Sequence, residues 1–294
     1  MKLQGIMPPI TTPFIGEAVA YDRMRENFQR WNRTKLSGYL VLGSNGEAVY
    51  LTETEKIKVL EISRETIPKE KIMLVGTGME STKETIRFTD EAARLGADLA
   101  LVVTPAYFKG SMTPQVLYDH FIAVAESSRI PILLYNVPQF TGINMEPPLV
   151  ARLSQHPNII GIKDSSGNID QLSQIVHQTT KDFNVFVGSA PVLVPALCVG
   201  AIGGILAVAN LLPELCTRIV DLYNEGQYTE AKELQNRLTP IAKAVTATYG
   251  ISGLKSAMDM VGYFGGEPRA PLKKAGPEIE ITLRGLLEGL KDIF

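Results

Sequence analysis

The chain has 294 residues, 45% of them hydrophobic and 20% charged, with a formal net charge of −2. That is long and apolar enough for a large core, and it excludes the basic footprint of a nucleic-acid binder and the polybasic patch of a membrane-surface protein. No stretch approaches the roughly 20 apolar residues of a membrane-spanning helix, and Met1-Lys2-Leu3-Gln4-Gly5 lacks an apolar signal segment, so a cytoplasmic setting is expected.

In chain order, apolar β-rich runs alternate with amphipathic helical patterns. Strands are expected at 6–10, 38–42, 72–77, 99–104, 132–137, 159–163, 184–188 and 204–209. A helix at 23–33 follows Asp22. The next, at 53–66, has Thr52 as N-cap and Glu55 placed for a capping box. One at 81–95 ends at Gly96, and one at 114–127 starts with Pro114 after Thr113. Helices at 147–155, 169–179 and 191–199 complete the alternation. After Asn210 the pattern is wholly helical: 214–224, then 229–249 up to Gly250, 254–261 up to Gly262, and 278–290.

Eight strands in strict alternation with helices imply parallel pairing through right-handed crossovers. The expected fold is α/β, a (β/α)₈ TIM barrel over residues 1–226 carrying the active site, with a C-terminal helical appendage, 227–294, packed on it. The alternative is an open doubly wound sheet, which usually shows a GxGxxG turn after its first strand; here Thr11-Thr12-Pro13-Phe14 stands there. Cys198 and Cys216 lie in apolar helical sequence and are expected buried and reduced. His120, His156 and His177 have no metal-ligand spacing and read as surface or structural residues, so no metal is expected.

In a barrel, chemistry gathers at the C-terminal ends of the strands. The sixth run, Ile159-Ile160-Gly161-Ile162-Lys163-Asp164-Ser165-Ser166-Gly167, ends an apolar strand on one lysine. Alternation puts Gly161, Lys163 and Ser165 on one face and Ile160, Ile162 and Asp164 on the other. Desolvation favours a neutral amine there, a nucleophile that forms a Schiff base with a ketone. The plain alternative is a lysine that snorkels into solvent. Other strand ends carry Gly43-Ser44-Asn45-Gly46-Glu47, Thr104-Pro105-Ala106-Tyr107-Phe108, Tyr135-Asn136-Val137-Pro138, Gly188-Ser189 and Ala209-Asn210. The amides of Ser44 and Asn45 could hold a carboxylate, and a phenol near the lysine could move protons. Taken singly, the tyrosines could be packing aromatics and the glycine loop only a turn. Together the set suits a lysine-dependent aldolase acting on a 2-keto acid.

These residues make the chain resemble the dihydrodipicolinate synthase / N-acetylneuraminate lyase family of class I pyruvate aldolases. The likeness runs from Gly5-Ile6-Met7-Pro8-Pro9-Ile10-Thr11-Thr12-Pro13-Phe14 to the helical C-terminus. It is carried by Gly43–Glu47, by Tyr135-Asn136-Val137-Pro138 with Thr141-Gly142, and by Gly161-Ile162-Lys163-Asp164. The resemblance implies that Lys163 is the Schiff-base lysine, Tyr135 the acid/base phenol and Ser44 its hydroxyl relay. It implies that Tyr107 completes the relay from a neighbouring subunit of a homotetramer built from dimers. The Ser44 and Asn45 amides would bind the pyruvyl carboxylate, and Gly188 and Ile205 would line the pocket. No cofactor is implied beyond the covalent imine.

The sequence departs from the synthase branch of that family. Phe140 stands where that branch has an arginine for the aldehyde's carboxylate, Asn45 replaces the second residue of the usual Thr-Thr pair, and Glu53 and Lys56 occupy the region of the lysine-feedback histidines. Gly43–Glu47, Lys163-Asp164-Ser165-Ser166-Gly167 and Gly262-Tyr263-Phe264-Gly265-Gly266 with Arg269-Ala270-Pro271-Leu272 look more like the 4-hydroxy-2-oxoglutarate aldolase branch. In that reading Ser165 and Asn45 meet the polar end of the second substrate, and the products are pyruvate and glyoxylate. The alternatives are dihydrodipicolinate synthase (4-hydroxy-tetrahydrodipicolinate synthase), condensing pyruvate with aspartate semialdehyde, a sugar-acid aldolase acting on a 2-keto-3-deoxy acid or N-acetylneuraminate, and an idle barrel that senses a keto acid.

Overall fold

The computed structural model describes residues 3–293. Its main strands are β1 (Gly5–Met7), β2 (Gly38–Val41), β3 (Ile72–Gly76), β4 (Leu99–Val103), β5 (Ile132–Asn136), β6 (Ile159–Asp164), β7 (Asn184–Val187) and β8 (Gly203–Ile205). Hydrogen-bonded neighbours run β1-β8-β7-β6-β5-β4-β3-β2. From β3 onwards each strand lies beside its predecessor in sequence and β1 lies beside β8, the order of a (β/α)₈ barrel. A doubly wound sheet would reverse its order at a switch point.

Packing groups residues 73–205 with 3–4, and 5–72 with 206–293. This grouping follows packing, whereas a division at residue 226 follows the kind of secondary structure.

In the first unit, parallel ladders set Val103 beside Tyr135, Tyr135 beside Lys163, and Lys163 beside Phe186. Most residues of these strands are buried, as strands covered on both faces must be. The outer helices are Thr82–Arg94, Pro114–Ser127, Pro147–Leu153, Ile169–Gln178 and Leu193–Cys198. Ser81 and Thr113 accept from the amides of Glu84 and Val116 and so cap the first two. The segment expected as a helix at 191–199 begins as a 3₁₀ turn, Ala190–Val192. Cys198 corrects the expectation of two buried thiols. Cys216 is buried, but Cys198 is exposed, because it shares the outward face of its short helix with Pro195 while Leu193, Val194, Ala196 and Leu197 turn inward. His120 is buried, and its Nδ1 lies 2.9 Å from Thr82 Oγ1; burial pulls its imidazole down to about 4.

In the second unit, β1 is shorter than the run at 6–10. Pro8 and Pro9 lack the N–H a continuous ladder needs. The pairing resumes through Leu40 N–H to Pro8 O at 2.9 Å and Ile10 N–H to Leu40 O at 2.9 Å. Phe14–Ile15 and Ala18–Val19 form a small antiparallel hairpin. The helix Glu53–Thr66 has the capping box read from Thr52 and Glu55. The helix Tyr21–Trp31 buries Phe28 and Trp31, and Tyr263 stacks on Trp31 with centroids 5.4 Å apart. The single helix expected at 229–249 is interrupted: Tyr228–Lys243 passes into a π turn, Ala244–Thr248, and Gly250 opens the next helix, Gly250–Met260. Helices Pro213–Asn224 and Pro277–Glu288 complete the unit. Among the described residues no helix is long and apolar enough to cross a membrane.

Candidate active site

Lys163 stands near the C-terminal end of β6 and is 3% exposed. Its strand neighbour Tyr135, 6% exposed, faces the same way, and the lysine Nζ lies 4.3 Å from the centroid of that ring. A phenol and an amine are therefore adjacent because they are directly paired across two parallel strands.

Two glycines leave room for this pair. A Cβ on Gly161 would fall 2.2 Å from Asn184 O and 2.8 Å from Leu133 Cδ2, so β6 approaches its neighbours too closely for a side chain there. A Cβ on Gly188 would fall 1.9 Å from Ser165 Oγ and 3.1 Å from Lys163 Cε. Gly188 is thus the space into which Ser165 and the lysine stem fit. Ser165 is half-buried, and its amide donates to Asn136 O at 2.8 Å. Lys163, Tyr135, Ser165 and Gly188 are brought together, while Ile205 is buried within β8.

The opposite face of the same strand ends holds a polar network that sequence reading did not single out. Asn136 Nδ2 donates to Asp164 Oδ2 at 2.7 Å and Gln171 Nε2 donates to the same oxygen at 3.0 Å. The Ser166 amide donates to Asp164 Oδ1 at 3.0 Å, and Asn136 Oδ1 accepts from the Met145 amide at 3.0 Å. Asp164 and Asn136 follow Lys163 and Tyr135 in sequence, so their bond ties the two strand ends behind the lysine–tyrosine pair. The signal was present: two polar residues in register on the outer face of otherwise apolar strands.

Tyr107 and Phe140 stand apart from this cluster in exposure. Tyr107 is 79% exposed, edge-on to Phe108 at 5.0 Å, on a loop pinned where Glu80 accepts the amides of Ala106 and Tyr107 at 3.0 and 2.8 Å. Phe140 is 66% exposed on the short helix Pro138–Thr141.

In the second unit, Ser44 and Asn45 open the 3₁₀ turn Ser44–Gly46 after β2. The turn sits between Leu42 at φ 57° and Glu47 at φ 53°, both left-handed. Gly46 is pressed against Ile10 O, which a Cβ would meet at 3.0 Å, and Gly46 O accepts from Thr12 Oγ1 at 2.7 Å.

Residues 2–289 match the model of the dihydrodipicolinate synthetase family. The chain belongs to that family. It is 37% identical to the 4-hydroxy-tetrahydrodipicolinate synthase of Methanothrix thermoacetophila over 99% of this chain and 98% of the relative. It is 34% identical to the enzyme of the same name from Archaeoglobus fulgidus, over 98% of each. The solved 4-hydroxy-tetrahydrodipicolinate synthase of Methylacidiphilum fumariolicum SolV superposes with a TM-score of 0.94 at 31% identity, over 99% of this chain and 97% of that one. Family membership carries the reaction class: the chain is a carbon–carbon lyase of the class I, lysine-dependent pyruvate aldolase type. The comparisons do not single out the 4-hydroxy-2-oxoglutarate aldolase branch. The relatives' names fit the synthase alternative better than that reading.

Proposed function

We propose that the chain condenses pyruvate with an aldehyde through an imine on Lys163, with aspartate semialdehyde as the acceptor. The observation that carries the chemistry is the buried Lys163 amine 4.3 Å from the Tyr135 ring. The names of relatives 37% and 34% identical over nearly the whole chain support the acceptor.

Lys163 Nζ adds to the ketone carbon of pyruvate. The carbinolamine loses water to give a protonated imine, and loss of a methyl proton gives an enamine that attacks the aldehyde carbon. Tyr135 passes the protons, and Ser44 relays them to it by the role its motif implies. The Ser44 and Asn45 amides take the pyruvyl carboxylate, and Gly188 and Ile205 line the pocket. No metal or organic cofactor is needed, because the imine is itself the electron sink. The exposed Tyr107 suits a residue completed by a second copy of the chain in a homotetramer.

A second reading is favoured by one observation. Phe140, exposed on the turn after β5, offers no guanidinium for a semialdehyde carboxylate. In this reading Lys163 cleaves 4-hydroxy-2-oxoglutarate to pyruvate and glyoxylate, with Asn45 and Ser165 meeting the polar end.

Borohydride added with pyruvate should fix a reduced adduct on Lys163, located by peptide mass spectrometry. Trapping that persists in Lys163→Ala removes the assignment. Side-by-side turnover of pyruvate plus aspartate semialdehyde and of 4-hydroxy-2-oxoglutarate then ranks the two readings.

A further inference from the structure

The turn that bears Ser44 and Asn45 ends on a glutamate that points inward, into charges supplied by the C-terminal region. Lys255, from the helix Gly250–Met260, is 0% exposed. Its Nζ lies 2.6 Å from Glu47 Oε1 and donates to Thr12 O at 2.8 Å and Glu267 O at 2.9 Å. The contact with Oε1 is an ion pair rather than an aligned hydrogen bond. Glu47 Oε2 accepts from the Arg269 backbone amide at 2.8 Å. Arg269 in turn grips Glu55 through two nitrogens, at 2.7 and 2.8 Å, and donates to Tyr50 O at 3.0 Å. Both cations lie 4.4 Å from the centroid of the Phe14 ring.

Burial pulls the Lys255 ammonium below its ordinary range, and the Glu47 carboxylate pushes against that shift. Two apolar residues of similar volume could stabilise such a site as well as an ion pair does. What the pair adds is direction: it fixes a glutamate that is left-handed at φ 53° and whose amide donates to Ser44 O at 3.1 Å. That amide bond couples the orientation of Glu47 to the Ser44–Gly46 turn.

We propose that Lys255 and Arg269 are positioning residues, which act through Glu47 to hold the Ser44–Gly46 turn in the shape that captures the carboxylate of the keto acid. This rests on the pyruvate reading above. It makes the C-terminal helical region part of the substrate-binding apparatus.

The test compares full-length parent, Lys255→Met and the double variant Lys255→Met/Glu47→Gln, which removes both buried charges and so spares the fold an orphaned carboxylate. Readouts are the pyruvate concentration that half-saturates borohydride trapping, kcat against KM, and amide hydrogen exchange. In the double variant, KM for pyruvate should rise about tenfold with kcat nearly unchanged, the pattern of lost substrate positioning. Residues 43–47 should exchange faster while residues 159–164 keep their protection. A folded double variant with the parent's KM and the parent's protection at 43–47 overturns the proposal. If the double variant does not fold, Glu47→Gln alone, which keeps an acceptor for the Arg269 amide, carries the same readouts. A parent that is not trapped at all removes the aldolase reading, and the exchange at 43–47 still decides whether Lys255 holds the turn.

Discussion

Lys163 and Lys255 are both buried, at 3% and 0% exposure, and each has an aromatic ring at nearly the same distance, 4.3 and 4.4 Å. They differ in what else the nitrogen meets. The Lys255 ammonium donates to Thr12 O and Glu267 O and is ion-paired with Glu47 Oε1. Among the described residues Lys163 has no carboxylate within ion-pair distance, and its neighbours are a phenol ring, a glycine and a serine. An ammonium enclosed by acceptors is committed to structural contacts. In the proposed reaction, the amine beside the phenol, in a space kept open by Gly188, is the group that adds to the ketone. On the proposed aldolase reading, the counter-charge and not burial is what separates the two lysines.

The largest effect should come from Lys163→Met. It removes the proposed nucleophile but strands no partner charge, so pyruvate trapping should vanish while the thermal unfolding midpoint stays near the parent's. Tyr135→Phe keeps the ring against Lys163 and deletes only the hydroxyl; steady-state kinetics should show kcat lower by about 10²- to 10⁴-fold. Lys255→Met reverses the pattern. It leaves the Glu47 carboxylate buried without its cation, and urea unfolding should show a loss of about 3–5 kcal/mol, largely restored by adding Glu47→Gln. Equal destabilisation by Lys163→Met and Lys255→Met would erase the distinction between the two sites.

His120 extends the comparison to a buried base that faces a hydroxyl instead of a carboxylate. Its folded imidazole sits at about 4 against an ordinary 6.5, pulled down by burial. The unfolded chain therefore takes up the proton first as pH falls. The contribution of the neutral imidazole is complete above pH 6.5 and is lost as pH drops towards 4, by up to about 3 kcal/mol. Urea unfolding at pH 7 and pH 4 should show that difference in the parent and a smaller one in His120→Gln.

Much of this was legible in the sequence, and its failures have local causes. The strand–helix alternation, the capping box at Thr52 and Glu55, and the starts of the helices at Pro114 and Ile169 are set by neighbours within a few residues, and all appear as read. The first strand, the long helix near residue 244 and Cys198 were misjudged because prolines, a π turn and the inward face of a two-turn helix decided them. Period-2 alternation correctly placed Lys163 and Ser165 on one face with Asp164 on the other. It could not show that Asp164 is bound by Asn136 and Gln171, nor that Gly188 makes room for Ser165.

By itself the sequence determined the barrel and its one strand-end lysine, because both follow from patterns with a period of a few residues. Only the tertiary structure decided which buried lysine has a carboxylate partner. Lys255 meets Glu47 across 208 positions of chain, a contact that no local pattern encodes. The 2.6 Å ion pair exists because the fold brings a C-terminal helix to the end of β2; among the described residues Lys163 has no carboxylate partner.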